Sequence, residues 1–198
     1  MIEPIVRNVS DIATQIFLEG ARELLGVEQW SRFAVGYHAS GMPEKTQAGI
    51  LSRSLEEIYG PAAGQGLALR IGRAMFRHGL KQLGDQAGFR AIDFRMLPAP
   101  RRVENGLYSL ARLMAEYTHS KVVVADEGHY WSWRVEHCPV CQGFHANEPC
   151  CYLMVGLIQE FASWADGGHF YRVAEVACQA ACADACVFHI DKRPLDCG

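Results

Sequence analysis

The sequence has no block of Lys and Arg. Its 19 basic residues are outnumbered by 22 acidic ones, for a net charge of -3, so no groove in it would neutralise a run of phosphates, and direct nucleic-acid binding is not expected. No apolar run approaches the roughly 18–20 residues of a membrane span, and Met1 to Ser10 carries Glu3 and Arg7 where a signal peptide would have its apolar segment. These absences predict a soluble, cytoplasmic protein. Catalytic signatures are missing as well. The histidines form no HExxH-type pair, there is no Ser-His-Asp order or phosphate loop, and Gly64-x-Gly66 lacks the preceding strand that would make it a dinucleotide site. No internal repeat and no low-complexity tract is present.

What the chain does have is cysteine. Seven of its eight cysteines lie between Cys138 and Cys186, and in a reducing compartment such a cluster reads as metal ligands rather than as a disulfide framework. At 198 residues the chain is long enough to bury a core without metals, so a metal would refine the fold rather than create it. Glu175-x2-Cys178-x7-Cys186 puts a carboxylate and two thiolates at the end of one predicted strand, in a loop and at the start of the next. One cysteine from the preceding helix would complete a shell of three thiolates and one carboxylate, a donor set that favours zinc. Cys138-Pro139-Val140-Cys141 is a separate signal, a tight turn that supplies half of a zinc or iron-sulfur site. Cys150 and Cys182 are the candidates to complete it as a second metal or redox centre; a reduced unliganded pair and a redox disulfide are the alternatives. Cys197 reads as a free thiol.

In chain order, Ser10 caps a predicted helix to about Leu25 with Ile12 and Ile16 on its apolar face, and Gly26 closes it. Trp30, Phe33 and Tyr37 recur at helical spacing. Pro43 opens a third helix with Ile50, Leu51, Leu55 and Ile58 as its stripe, ended by Gly60-Pro61. Residues Ala62 to Leu83 carry two stripes, Leu67/Ile71/Met75 and Leu69/Phe76/Leu80/Leu83, so this helix should be central. Its Gly64, Gly66, Gly72 and Gly79 each cost about 1 kcal/mol against Ala in a helix, which predicts close packing of another helix, or a ligand channel, against its backbone. Pro98 and Pro100 mark a short linker, and Val103, Leu107, Leu110, Met114 and Tyr117 an amphipathic helix. A hairpin of Lys121 to Asp126 and His129 to Glu136 follows, then a helix at Cys151 to Ala165 and strands near Phe170 to Ala177 and Cys186 to Ile190. The order predicts an α+β fold, a helical layer packed on an antiparallel sheet.

The segments YGPAAGQGLALRIGRAMF, SWRVEHCPVC, CCYLMVG and GGHFYRVAEVACQAACADACVFHI together resemble the 4-vinyl reductase domain, in its small hydrocarbon-binding or sensor form, from about Tyr59 to Ile190. The resemblance implies the fold shared with TRAPP vesicle-tethering subunits and related to haem nitric-oxide sensors, an apolar cavity between helices and sheet, and a homodimer. It also implies a structural zinc held by a cysteine five residues before a glycine, a glutamate and two further cysteines; those positions are Cys151, Glu175, Cys178 and Cys186. Where the aromatic-sensing relatives read a phenol hydroxyl with a Trp, this chain has His129, so the resemblance does not carry phenol over as the ligand. The position of Cys182 is a glycine in many relatives.

On this reading residues 1–58 are N-terminal helices of the same domain, and 59–198 form the ligand-binding region with its metal site. The expected function is a small-molecule binding or sensing module for an apolar, aromatic or tetrapyrrole-like ligand, its pocket lined by Leu67, Ile71, Met75, Phe76, Leu107, Leu110, Met114, His129, Trp131 and Trp133. The alternatives are an enzyme or accessory protein acting on a vinyl-bearing tetrapyrrole, or a redox or iron-sulfur protein using Cys138 and Cys141. With no DNA-binding segment evident, a signalling output would pass to a separate partner.

Overall fold

Gly72 and Gly156 set the central contact of the molecule. The computed structural model describes residues 9–39 and 47–195, arranged as α1 (Val9–Ala39), α2 (Gln47–Tyr59), α3 (Pro61–Leu83), α4 (Ile92–Arg95), α5 (Ala99–Thr118), β1 (Lys121–Asp126), β2 (Tyr130–Glu136), α6 (Tyr152–Ala165), β3 (Val173–Ala177) and β4 (Cys186–Asp191). A Cβ on Gly72 of α3 would run into the carbonyl oxygen of Leu153 on α6, and one on Gly156 of α6 would run into that of Leu69 on α3. Each helix thus presents bare backbone to the other, and α3 and α6 cross at a distance no side chain at either position would permit. Gly64 makes the same kind of approach to the α2 backbone at Glu56. Close helix packing therefore accounts for Gly64 and Gly72, and α3 is the hub, with α1, α2 and α6 all against it.

The two helices expected before residue 40 run as one unit broken at Gly26, whose φ of 70° and ψ of 175° lie outside the helical region. Glycine adopts such a positive φ without the Cβ penalty that other residues meet. Gly60 acts similarly at φ 81°, ending α2 just before Pro61 starts α3. On α2, Leu51 and Leu55 are buried, whereas Ile58 of the expected stripe is exposed. The side chains of Ser10, Phe33 and Tyr37, and residues Pro43 and Cys197, lie outside the described residues. Between α3 and α5 the linker contains one unexpected turn of helix, α4.

The four strands form one antiparallel sheet in the order β1-β2-β4-β3, and the fold is α+β. Trp131, Trp133 and Val135 of β2 and Cys186, Phe188 and Ile190 of β4 alternate toward the core and are almost fully buried, as a half-covered sheet requires. Helix α5 lies along β1 and α6 against β3, with α3 behind α6. Helix α6 buries residues all round, among them Leu153, Ile158 and Phe161. Each such large side chain stabilises the fold by about 1.5–3 kcal/mol. Among the described residues no helix is long and apolar enough to cross a membrane.

Candidate functional site

Strand β3 contains a bulge: Glu175 pairs with Phe188, but Ala177 pairs with Val187, which leaves Val176 as the extra residue. In a regular strand, residues three apart point to opposite faces. The bulge restores Glu175 and Cys178 to the same inner side, where Cys186 at the start of β4 and Cys151 at the N-cap of α6 meet them. A bulge re-aiming a side chain in this way is a recurrent device at sites. The sulfurs of Cys151, Cys178 and Cys186 form a near-equilateral triangle, 3.8 Å, 3.8 Å and 3.9 Å on its edges. Four donors around a tetrahedral zinc with Zn–S of about 2.3 Å stand about 3.8 Å apart, so this triangle has the dimensions of one face of a zinc shell.

Glu175 supplies the fourth corner. One carboxylate oxygen accepts the Cys151 backbone N–H at 2.7 Å, while the other, Oε1, is buried with no hydrogen-bond partner among the described residues. Leaving such an acceptor unpaired costs about 1–3 kcal/mol, which a cation would remove. Burial pushes the Glu175 carboxyl up to about 8, against the pull of the Cys151 N–H. Without a cation the group therefore stays mainly protonated in neutral solution, and metal binding would displace that proton. The crowded thiols divide their protons unequally. Hydrogen bonding to Cys141 and other neighbours drives Cys178 and Cys138 well down, and hydrogen bonding to Cys138 and Cys141 drives Cys151 and Cys186 up. The donor set and its dimensions fit a thiophilic divalent ion.

The Cys138-Pro139-Val140-Cys141 turn lies against the same cluster. Cys138 Sγ is 3.7 Å from Cys151 Sγ, Cys141 Sγ is 3.3 Å from Cys186 Sγ, and the four form a second donor group. Cys150 sits at the margin, 3.8 Å from Cys178 Sγ. Cys182 is exposed and outside both groups. It adopts a left-handed φ of 64° after the short 3₁₀ turn Gln179–Ala181, a conformation that favours glycine. The structure thus joins Cys138 and Cys141 to Cys151 and Cys186, not to the Cys150 and Cys182 expected to complete their site. The connection between β3 and β4, whose path sequence spacing leaves open, decides this by turning Cys182 outward.

Gln179 carries no signal in the sequence, yet it braces the site. Its side-chain carbonyl accepts the Cys138 N–H at 2.9 Å, its amide donates to the Asp184 carbonyl at 3.2 Å, and its backbone N–H donates to Cys186 Sγ at 3.4 Å. It ties the Cys138 turn to the β3–β4 connection. Gln179→Ala is expected to weaken metal affinity about 10-fold or more, the range typical of groups that orient ligands, measured by competition with a chromophoric chelator. Unchanged affinity would mean that the turn holds its position without Gln179.

A cleft of about 120 Å³ opens at the C-terminal end of α3, walled by Ala13 and Ile16 of α1, Met75, Phe76, Gly79 and Leu80 of α3, Leu110, Leu113 and Met114 of α5, and Leu157 of α6. Its lining is almost wholly apolar. Of the expected pocket residues, Met75, Phe76, Leu110 and Met114 reach it. Ile71, Leu107, Trp131 and Trp133 are instead buried in the core, Leu67 packs at its margin, and His129 is exposed beside the β1–β2 turn. The physical reason is the glycine contacts: from Gly64 to Gly72 the backbone of α3 is pressed against α2 and α6, and space opens only beyond them. The indole N–H groups of Trp131 and Trp133 are buried without a hydrogen-bond partner among the described residues, two donors that an internal water or a ligand oxygen would satisfy. A second, more polar cleft of about 330 Å³ lies between α2 and the Cys141 turn, with Cys141 and Cys150 in its wall.

No protein of curated function matches the chain. Among solved structures, the crystal structure of the phenol-responsive sensory domain of the transcription activator PoxR with phenol is similar in fold, with a TM-score of 0.52 at 17% identity over 74% of each chain. The family model of the 4-vinyl reductase domain matches residues 131–192, which span β2, α6, β3, β4 and every residue of both donor groups. Residues 131–192 therefore carry the 4-vinyl reductase domain.

Proposed function

We propose that this protein is a non-catalytic binding or sensing module for a small, mostly apolar molecule, on a fold pinned by zinc at Cys151, Glu175, Cys178 and Cys186. The observation that carries the ligand half is the apolar cleft of about 120 Å³. An apolar cavity of about 150 Å³ stays dry and takes up benzene, so the cleft has the scale of a single ring and is far smaller than a tetrapyrrole. Phenol, the molecule in the PoxR sensory-domain crystal, is of this size class. The zinc half rests on the unpartnered Glu175 oxygen and the sulfur triangle. Four protein ligands leave no open position for water or substrate, which makes the role structural.

Gly79 provides the test of the cleft. A Cβ there would meet only Ile16 side-chain atoms, at 3.7 Å and 3.9 Å, so a larger side chain enters the cleft without striking backbone. Gly79→Phe is expected to reduce uptake of benzene, toluene or phenol more than 10-fold in ligand-observed NMR or calorimetry, with metal content and helicity retained. Uptake at the wild-type level would place the ligand site elsewhere. Gly72→Phe, suggested by the sequence alone, is unsuitable because it would separate α3 from α6.

We also propose a homodimer, with Val27, which is exposed, near the contact. Ile16 is not available to it, since it is buried against α3 within the chain. Sedimentation at micromolar concentration should give about twice the mass of the 22.0 kDa chain; a single species at that chain mass would refute this.

A further inference from the structure

We propose that the cysteine cluster holds two metal ions, not one, as a thiolate-bridged pair in which Cys151 and Cys186 are shared, Cys138 and Cys141 complete one shell, and Glu175 and Cys178 complete the other. The proposal rests on the zinc reading given above and extends it. Its basis is a surplus of donors: five sulfurs and one carboxylate oxygen meet in the two groups, both of which contain Cys151 and Cys186. One tetrahedral ion accepts four of them. If it took Cys151, Glu175, Cys178 and Cys186, the buried Cys138 and Cys141 would remain in contact with two of its ligands and bound to nothing. If it took the four cysteines of the other group, Cys178 and the unpartnered Glu175 oxygen would be stranded instead.

The distances suit a shared edge. Cys151 and Cys186 are 3.8 Å apart, the edge expected of one zinc tetrahedron. On one side of this edge Cys178 lies 3.8 Å and 3.9 Å from the two sulfurs; on the other, Cys138 lies 3.7 Å from Cys151 and Cys141 3.3 Å from Cys186. Two tetrahedra joined at that edge use all six donors. Charge also balances. Four anionic ligands around one divalent ion leave two negative charges, and six around two divalent ions leave the same two, so the second ion brings in two thiolates at no cost in net charge. The backbone supports the sulfurs where their charge concentrates: the Gln179 N–H points at the shared Cys186 sulfur, and Cys138 sulfur receives a backbone hydrogen bond from Val140. An iron-sulfur cluster is disfavoured by the same contacts, because protein sulfurs already occupy the bridging positions that inorganic sulfide would need.

Native mass spectrometry of the full chain, stripped and then reloaded with zinc and passed over a weak chelating resin, reads the stoichiometry directly. Two zinc ions per chain are expected, falling to one in the Cys138→Ser/Cys141→Ser double variant and to one in the Glu175→Gln/Cys178→Ser double variant. Reloading with cobalt should give thiolate-to-cobalt charge-transfer absorption together with a loss of paramagnetism as the second equivalent binds, the signature of coupling through shared sulfur, and it is read on wild-type protein alone. One zinc per chain, unaffected by Cys138→Ser/Cys141→Ser, would overturn the pair and leave the single zinc in place. One zinc lost with Cys138→Ser/Cys141→Ser but kept in Glu175→Gln/Cys178→Ser would overturn the pair and move the zinc to the four-cysteine group. No retained zinc in folded wild-type protein would overturn both readings.

Discussion

Cys186→Ser is expected to release bound metal and to lower the melting temperature by about 8–16 °C, on the scale of 2–4 °C per kcal/mol for a chain of this size. Cys186 is fully buried at the first position of β4 and belongs to both donor groups, so no arrangement of metal in the cluster spares it. A serine hydroxyl is a poor zinc donor and would sit buried beside the remaining sulfurs. Structural zinc sites release about 10–16 kcal/mol on binding, and because the site exists only in the folded chain this becomes folding free energy. Loss of even about 4 kcal/mol of it gives the stated shift. Calorimetry with and without a strong chelator separates metal binding from packing: once stripped, wild type and Cys186→Ser should melt within a few degrees of each other. A gap that persisted undiminished in stripped protein would show that Cys186 acts through packing. Cys182→Ser, at an exposed position, should change neither metal content nor melting.

Gly72→Val should prevent stable folding, whereas Gly79→Ala in the same helix should be neutral or stabilising by up to about 1 kcal/mol. At Gly72 the added carbon would overlap the Leu153 carbonyl and crowd the Leu157 amide nitrogen. These are backbone atoms of α6, which cannot yield without moving the whole helix. Overpacking in a core typically costs about 1–3 kcal/mol where side chains can adjust; here they cannot, and α3–α6 is the most extensive helix contact in the molecule. The cost should reach or exceed about 4 kcal/mol, the range reserved for core disruption. Urea denaturation of the two variants checks the contrast. Equal stability of Gly72→Val and wild type would mean that α3 and α6 do not approach as closely as described. In the sequence these glycines form one set. Only the neighbours opposite each of them show that Gly72 is a contact point and Gly79 an opening.

Much of the molecule follows from local pattern. The apolar stripes of α3 and α5, the Gly60-Pro61 break, and the alternation of Trp131, Trp133 and Val135 are encoded within a few residues of each other, because helix and strand periods act over one or two turns. The metal donors are legible as residue types for the same reason: soft thiolates and a nearby carboxylate state their chemistry without reference to a fold. Gly26 is legible as a helix end, although the continuation of α1 beyond it is not.

Pairings across the chain are settled by tertiary structure. Glu175 and Cys178 are three apart, a spacing that in a regular strand would point them to opposite faces, and only the bulge at Val176 brings them together. By count, the leftover partners of Cys138 and Cys141 are Cys150 and Cys182; instead the left-handed turn at Cys182 sends that thiol outward, and Gln179 draws the Cys138 turn onto Cys151 and Cys186. The cleft lies at the end of α3 rather than its middle because backbone contacts at Gly64 and Gly72 consume the space there. In each case the deciding quantity is a distance between segments remote in sequence. Composition and periodicity determine which groups the chain carries and which face of each element they occupy; the meeting of those faces belongs to the folded chain.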